Sequence, residues 1–269
     1  MCEFCAKHKR KKWFLDEDNY KEELLKNKGR KSILKKIAGP TLDHYMRDSL
    51  DLFELARNPL LKPVVRGMMN KFAASNHSGQ AVTLEDAIAI VKLADNHVLF
   101  QCNCRKLCGL KEKMCCLNFG PMRDLVKQTN PTEKMEEINT SEAVDLLKDW
   151  NKEGLVHEVL YAAAPFPIAM CNCDRKYCMP MKSRLSTGIE SSFLKGHEIA
   201  YVDPLKCKCE KFYCMTRCQF GAIYADRFDI KAVIDVTKCF GCGLCKEVCP
   251  CNAIKMEDRE TVMGSRHKW

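Results

Sequence analysis

The stretch Cys239-Phe240-Gly241-Cys242-Gly243-Leu244-Cys245-Lys246-Glu247-Val248-Cys249-Pro250 decides how the chain is read. Four cysteines follow one another at gaps of two, two and three residues, and a proline closes the run. Gaps this short cannot close the long loops in which a disulfide stabilises most, but they let several thiolates wrap one metal centre. Gly241 and Gly243 keep side chains out of the loop, so backbone amides can approach the sulfurs and whatever they hold. Nineteen of the 269 residues are cysteine, an excess that calls for a chemical reason rather than a packing one. Met1 is followed at once by Cys2, Glu3 and Cys5, and then by the charged run Lys7 to Lys12. That is no secretory signal, and the expectation is a reducing, cytoplasmic setting in which the thiols serve metal.

The spacing C-x2-C-x2-C-x3-C-P resembles that of bacterial two-cluster ferredoxins. The resemblance implies a ferredoxin-like domain over residues 200–257 with two [4Fe-4S] clusters between pseudo-symmetric halves, the fourth cysteine of each run reaching across to the other cluster. A partner run lies upstream: Cys214-Met215-Thr216-Arg217-Cys218 repeats Cys245-x3-Cys249, and Gly221-Ala222-Ile223 mirrors Asn252-Ala253-Ile254. It departs from the pattern before Cys214, where Lys208 and Lys211 stand in the places of Cys239 and Cys242, with Cys207 and Cys209 flanking the gap. The resemblance therefore implies one cluster on Cys207, Cys209, Cys214 and Cys249, and the other on Cys239, Cys242, Cys245 and Cys218. Zinc is the competing reading, but zinc ribbons use separated C-x2-C pairs rather than three short gaps and a proline. Cys251 has no counterpart in the pattern and reads as a small buried side chain. The opening Met-Cys-Glu-Phe-Cys, the Lys11-Lys12-Trp13 after it and the C-terminal run together resemble a group of ferredoxin-like proteins of anaerobes. That likeness implies anaerobic metabolism and supplies no activity.

Outward from this domain the expected fold class is α+β, with a helical basic region over 1–80, a duplicated region over 81–180 and a short tail over 258–269. Leu42, Tyr45, Met46, Ser49, Leu50, Phe53 and Ala56 share one helical face, and Pro63 can open a further helix carrying Val64, Val65, Met68, Met69 and Phe72. The lysines and arginines between Lys26 and Lys36 lack interleaved aromatics and read as a solvated face rather than a nucleic-acid patch. From Thr83 a helix cap, the apolar positions Ala87, Ile88, Ile90, Val91 and Ala94, a stop at Asn96 and a strand at Val98-Leu99-Phe100 run into Cys102-Asn103-Cys104. A second copy begins with Asn139 and Glu142 at capping-box spacing and stops at Gly154. It enters a strand at Leu155 to Tyr161 and, after a proline-bearing linker, reaches Cys171-Asn172-Cys173.

Cys102-x-Cys104-x3-Cys108 and Cys171-x-Cys173-x4-Cys178 copy the form of Cys207-x-Cys209-x4-Cys214. With Cys115 and Cys116 they supply eight thiolates, enough for one or two further clusters; zinc sites or a pocket of free thiols are the alternatives. Cys2 and Cys5 form a C-x2-C pair with His8 nearby, either a site completed from elsewhere or a plain terminus.

No apolar run approaches the roughly 20 residues of a membrane span, and Ala162 to Met170 is broken by Pro165 and Pro167. The formal charge of +9 falls to about +5 with two clusters and about +1 with four, since each core with its thiolates carries about −2. Nucleic acid is thus not an expected partner. The chain has no G-x-G-x-x-G, no G-x4-G-K-[ST] and no C-x3-C-x2-C, its seven histidines stand alone, and no residue reads as catalytic. The expected function is single-electron transfer to a partner oxidoreductase, with Lys206, Lys208, Lys211, Lys238 and Lys246 around the clusters either to raise potentials and dock an acidic partner or as ordinary solubilising charge. The alternative is a redox enzyme, or a subunit of one, with a substrate-accessible cluster within residues 82–178.

Overall fold

The computed structural model describes residues 11–40, 42–110, 113–163, 165–209, 211–226, 228 and 230–264; Cys2, Cys5 and His8 lie outside them. Helices and strands are mixed along the chain. Three 3-10 turns, Trp13–Leu15, Glu17–Tyr20 and Glu22–Lys26, lead into helices Lys28–Ala38, Leu42–Leu55 and Lys62–Ser75. Asn27 accepts from the Arg30 amide at 3.0 Å to cap the first, and Pro63 sits in the opening turn of the third, where its missing N–H costs nothing. Of the expected face from Leu42 to Ala56, the side chains of Tyr45, Ser49, Leu50 and Phe53 lie outside the described set, while Ala56 packs with Val65 and Met69. The lysines of the basic run are exposed. Arg30 is not: it is buried and donates from Nη2 to the Ala163 carbonyl at 2.6 Å.

The middle of the chain builds a seven-stranded sheet from β1 His77–Val82, β2 Val98–Gln101, β3 Met114–Asn118, β4 Met135–Glu137, β5 Val156–Ala162, β6 Phe166–Cys173 and β7 Phe193–Leu194. Its order is β4-β2-β3-β6-β5-β1-β7, antiparallel throughout except between β1 and β7. Thr83 caps helix Leu84–Leu93, and Asn139 with Glu142 closes a reciprocal capping box on helix Thr140–Glu153, which ends at Gly154 with φ 91°. These two helices cover one sheet face, where Ile90, Val91, Leu147 and Trp150 meet Leu117, Val159, Tyr161 and Met170. Side chains alternate along a strand, so Leu160, Ala162 and Ala169 point to the other face, under helices Lys28–Ala38 and Met122–Thr129.

The segment expected as a proline-bearing linker is instead the start of β6. Pro167 pairs with Tyr161 beside a register shift that leaves Ile168 as an extra residue, and a bulge is where a strand tolerates the missing N–H of proline. In consequence Cys102 lies just past β2, whereas Cys171 and Cys173 stand inside β6, one strand later than in the first helix–strand stretch.

The last part pairs β8 Glu198–Val202 with β11 Ile254–Asp258, and β9 Ile223–Ala225 with β10 Ala232–Ile234, around helices Tyr213–Arg217 and Leu244–Glu247. The chain beyond residue 257, expected as a tail, does not leave the body at once. Arg259 is fully buried and donates to the carbonyls of Gly196, Glu198 and Cys239 at 2.8, 3.0 and 3.0 Å. Lys12 reaches both Asp86 and Glu198 at 2.8 Å, and Trp13, fully buried, donates to Gln80 at 2.7 Å. The N-terminal segment is thereby pinned to the sheet and to β8 together.

Candidate iron-sulfur centres

Every described cysteine is a free thiol, and all but Cys108 fall into two neighbourhoods. In the C-terminal one, Cys214 is the second residue of the helix Tyr213–Arg217 and Cys245 the second of the helix Leu244–Glu247, so the two short helices carry equivalent thiols. Electrostatic proximity sorts the rest. Cys214 feels Cys209, Cys249 and Cys207, whereas Cys242 feels Cys239 and Cys218, and Cys245 feels all three of these and, beyond them, Cys214. The structure thus brings Cys207, Cys209, Cys214 and Cys249 together, and Cys239, Cys242, Cys245 and Cys218 together, in adjacent sets. Burial pushes the Cys214 thiol up to about 11 and the Cys242 thiol up to about 12, so a bare thiolate is unfavourable in either place.

Backbone N–H groups aim at these sulfurs. Ala222 donates to Cys218 Sγ at 3.3 Å, Ala253 to Cys249 Sγ at 3.3 Å, and Ala232 to Cys207 Sγ at 3.4 Å. The first two contacts are pseudo-symmetric, each spanning four residues, and amide donors on sulfur are what an anionic thiolate–iron core takes. Gly241 has φ +75°, and a Cβ there would lie 2.0 Å from the Glu198 carbonyl oxygen; only glycine lets the loop come so close to β8. The donor set and its amides fit a [4Fe-4S] group. Cys251 is half-buried rather than buried and lies near Cys209, which places a fifth thiol beside the first set.

The upstream neighbourhood is a cavity of about 510 Å³. Cys171 and Cys173, two apart on β6, share its sheet face, and Cys116 of β3 stands opposite Cys171. Phe100 pairs with Cys116 and Gln101 with Met114, so Cys115 is the extra residue of a bulge, and a bulge can turn two neighbouring side chains toward one space. Cys102 and Cys104 enter from the turn after β2, and Cys178 from the turn before helix Met179–Lys182. Cys102 is held well below the ordinary thiol range by hydrogen bonds from Cys104, Cys115 and Cys173, whose own protons are correspondingly hard to remove. Arg105, paired with Asp174 and lying 4.7 Å over the Tyr177 ring, brings a cation next to Cys173 and Cys115.

Of the eight upstream cysteines expected as ligands, seven line this cavity. Cys108 is exposed and lies outside the cavity, because the helix Asn103–Leu107 ends one residue before it and turns it outward. A residue with no cysteine-like signal stands among them. Glu158 lines the cavity with 1% of its surface exposed, and burial, with the nearby Cys116, pushes its carboxyl up to about 8. A charged residue in the middle of the apolar run Leu155 to Tyr161 was the available hint.

Among the described residues, no three or more His, Cys, Asp or Glu side chains form a group that could hold a metal ion. A cubane asks for a different arrangement, since each iron takes one protein ligand and the donors surround the cube rather than meeting at a point. The two neighbourhoods touch. Cys173 and Cys178 belong to one apolar cluster with Phe193, Phe220 and Phe240, and Cys218 and Cys242 pack at its edge.

The 4Fe-4S binding domain family matches residues 232–255, which span the run from Cys239 to Cys249, and the match implies at least one [4Fe-4S] cluster on this chain. A dihydromethanopterin reductase (acceptor) of Methanosarcina mazei is 42% identical over 69 residues, 25% of this chain and 28% of its own length. The chain therefore spans under a third of that relative. No solved structure gives a significant match.

Proposed function

We propose that the chain is an iron–sulfur electron-transfer protein that binds two [4Fe-4S] clusters in a C-terminal ferredoxin-like domain of the bacterial dicluster type. One set is Cys207, Cys209, Cys214 and Cys249; the other is Cys239, Cys242, Cys245 and Cys218. The observation that carries this is the division of the eight thiols into two adjacent sets, each with amide donors on sulfur. A [4Fe-4S] cluster, when bound, supplies one-electron redox chemistry. The chain's own residues hold the sulfurs, shield them from water and set the local charge: Arg259 and Lys195 both lie close enough to Cys239 to feel its charge. A partner oxidoreductase would dock near Cys209, among the exposed Lys206, Lys208 and Lys211. Lys238 and Lys246 are engaged by Asp235 and Glu85. Reversible one-electron reduction of both C-terminal clusters, followed by EPR, tests the reading; clusters that never reduce would sink it.

Further clusters in the upstream cavity belong to the same reading, and the phenylalanine cluster between the neighbourhoods favours it. We read the sheet as a duplication of two strand–helix–strand–strand units, β1 to β3 and β4 to β6. The order β4-β2-β3-β6-β5-β1 is unchanged when the units are exchanged, which supports duplication with a repeat longer than helix, strand and hook. Anaerobic iron and sulfide analysis separates the cases: about eight irons per chain means the C-terminal pair alone, about sixteen means two more. A second reading, a redox enzyme or enzyme subunit acting at the cavity, is favoured by its apolar lining, where Met46, Met69 and Phe72 accompany the thiols. The Methanosarcina relative bears a reductase's name, which is compatible with it. A cytoplasmic, anaerobic setting follows from the chemistry proposed, and no described helix is long and apolar enough to cross a membrane.

A further inference from the structure

We propose that Glu158 is a carboxylate ligand of an iron–sulfur centre in the upstream cavity, taking the eighth donor place beside the seven cysteines gathered there. The inference rests on the reading that the cavity holds clusters. Its first support is register. Phe100, Cys116, Cys171 and Glu158 stand directly opposite one another on β2, β3, β6 and β5, and opposite residues of antiparallel strands share a face with neighbouring Cβ atoms about 5 Å apart. Glu158 therefore continues the row by one strand and shares the sheet face of the thiols.

The second support is that its carboxyl group is left over by the rest of the fold. Oε2 lies 3.9 Å from Cys178 Sγ, and Oε1 is buried with no hydrogen-bond partner. The ionisable groups around it are the thiols Cys116, Cys171 and Cys178, with no cation among them. A buried carboxyl group either keeps its proton or is satisfied by a cation or by donors, and a metal ion is a cation that could take the proton's place. The third is space. A Cβ on Gly79 would lie 2.2 Å from Glu158 Oε1, so the glycine on β1 leaves the room the carboxyl occupies. The fourth is the count: with Cys108 exposed and outside the cavity, seven thiols remain where two clusters need eight donors.

An oxygen donor is harder than a thiolate and binds iron of a sulfur cluster less firmly. An iron held by Glu158 would therefore be the one most open to water or a small reducible substrate, which would give the second reading above its reactive position.

The test uses full-length protein purified without oxygen, with iron and sulfide content, EPR and Mössbauer spectra as readouts, for wild type, C108S, E158Q and E158C. The expected result is about sixteen irons in wild type and C108S alike. E158Q is expected to lose upstream iron or change only the upstream signal, and E158C to recover the iron with an all-thiolate spectrum. The C-terminal signals stay constant throughout, which reports folding, and recovery in E158C separates ligand loss from collapse of the sheet. Wild type with about eight irons overturns the upstream-cluster reading and this inference with it. Wild type with about sixteen irons, an E158Q spectrum equal to wild type and iron lost from C108S overturn the role of Glu158 alone.

Discussion

Phe220 stacks on Phe240 with ring centroids 4.2 Å apart and planes inclined by 22°. Each ring follows closely on a cysteine of the same set, Cys218 or Cys239, and Phe193 of β7 stacks on Phe240 at 5.3 Å. Arg184 and Lys195 lie over the Phe240 ring at 5.1 and 5.7 Å. The contact joins the ferredoxin-like part to the sheet through side chains next to the proposed ligands. Replacing Phe240 by Ala should destabilise the protein by about 3–5 kcal/mol, the usual cost of an aromatic deletion in a packed core, measured by anaerobic thermal denaturation. Replacing it by Leu should keep the iron content and slow electron equilibration between the C-terminal and upstream centres, read by rapid-mixing spectroscopy.

Gly241 cannot accept a side chain. Its φ of +75° and the 2.0 Å approach of a Cβ to the Glu198 carbonyl mean that Ala in its place pushes the Cys239–Cys242 loop off β8. The G241A protein should lose about four irons and one of the reducible EPR signals, leaving the Cys207 set occupied.

Arg259 places a buried guanidinium on the Cys239 carbonyl. A fixed positive charge favours the reduced, more negative state of a neighbouring cluster. Arg259→Met should therefore shift the potential of the Cys239 set downward while that of the Cys207 set moves little, in an EPR-monitored redox titration. Three carbonyls also lose their donor, and stability should fall by several kcal/mol.

His157 is fully buried on β5 with Nδ1 2.7 Å from Asn172 Oδ1, and burial lowers it to about 4. The unfolded chain takes up a proton near pH 6.5 that the native state refuses until about pH 4. Between those values the unfolded state binds more protons, so stability rises with pH and is lost on acidification. The loss amounts to about 3 kcal/mol over the window. His157→Gln should flatten that limb of a melting-temperature profile taken between pH 7 and pH 4.5. An unchanged profile would show that His157 is not held neutral.

Much of the candidate site can be read along the chain because its information is local. Cys239, Cys242, Cys245 and Cys249 are separated by two or three residues, so a single loop and helix turn can present them together whatever the remainder of the protein does. Thr83, Asn139, Glu142 and Gly154 mark helix ends for the same reason, since a cap is a contact within four residues. The upstream hooks were harder. Cys108 sits four residues after Cys104 just as Cys218 follows Cys214, and nothing in that spacing shows that the helix Asn103–Leu107 turns it out to solvent. Pro165 and Pro167 read as a break because proline normally excludes a strand, and only the bulge at Ile168 makes the pairing of β6 permissible.

Spacing alone therefore carries the chemistry of the C-terminal run: clustered thiols, a glycine-lined loop and a ferredoxin-like pattern that calls for iron and sulfide. Pairing between distant strands settles which of those thiols meet and what else stands among them. Glu158 and Cys171 are opposite because β5 and β6 pair in one register, and a slip of a single residue would turn the carboxyl to the other face of the sheet. Arg259 and Cys239 meet because β11 lies against β8. Long-range register depends on the packing of both sheet faces at once, a condition spread over many residues, and no short motif carries it.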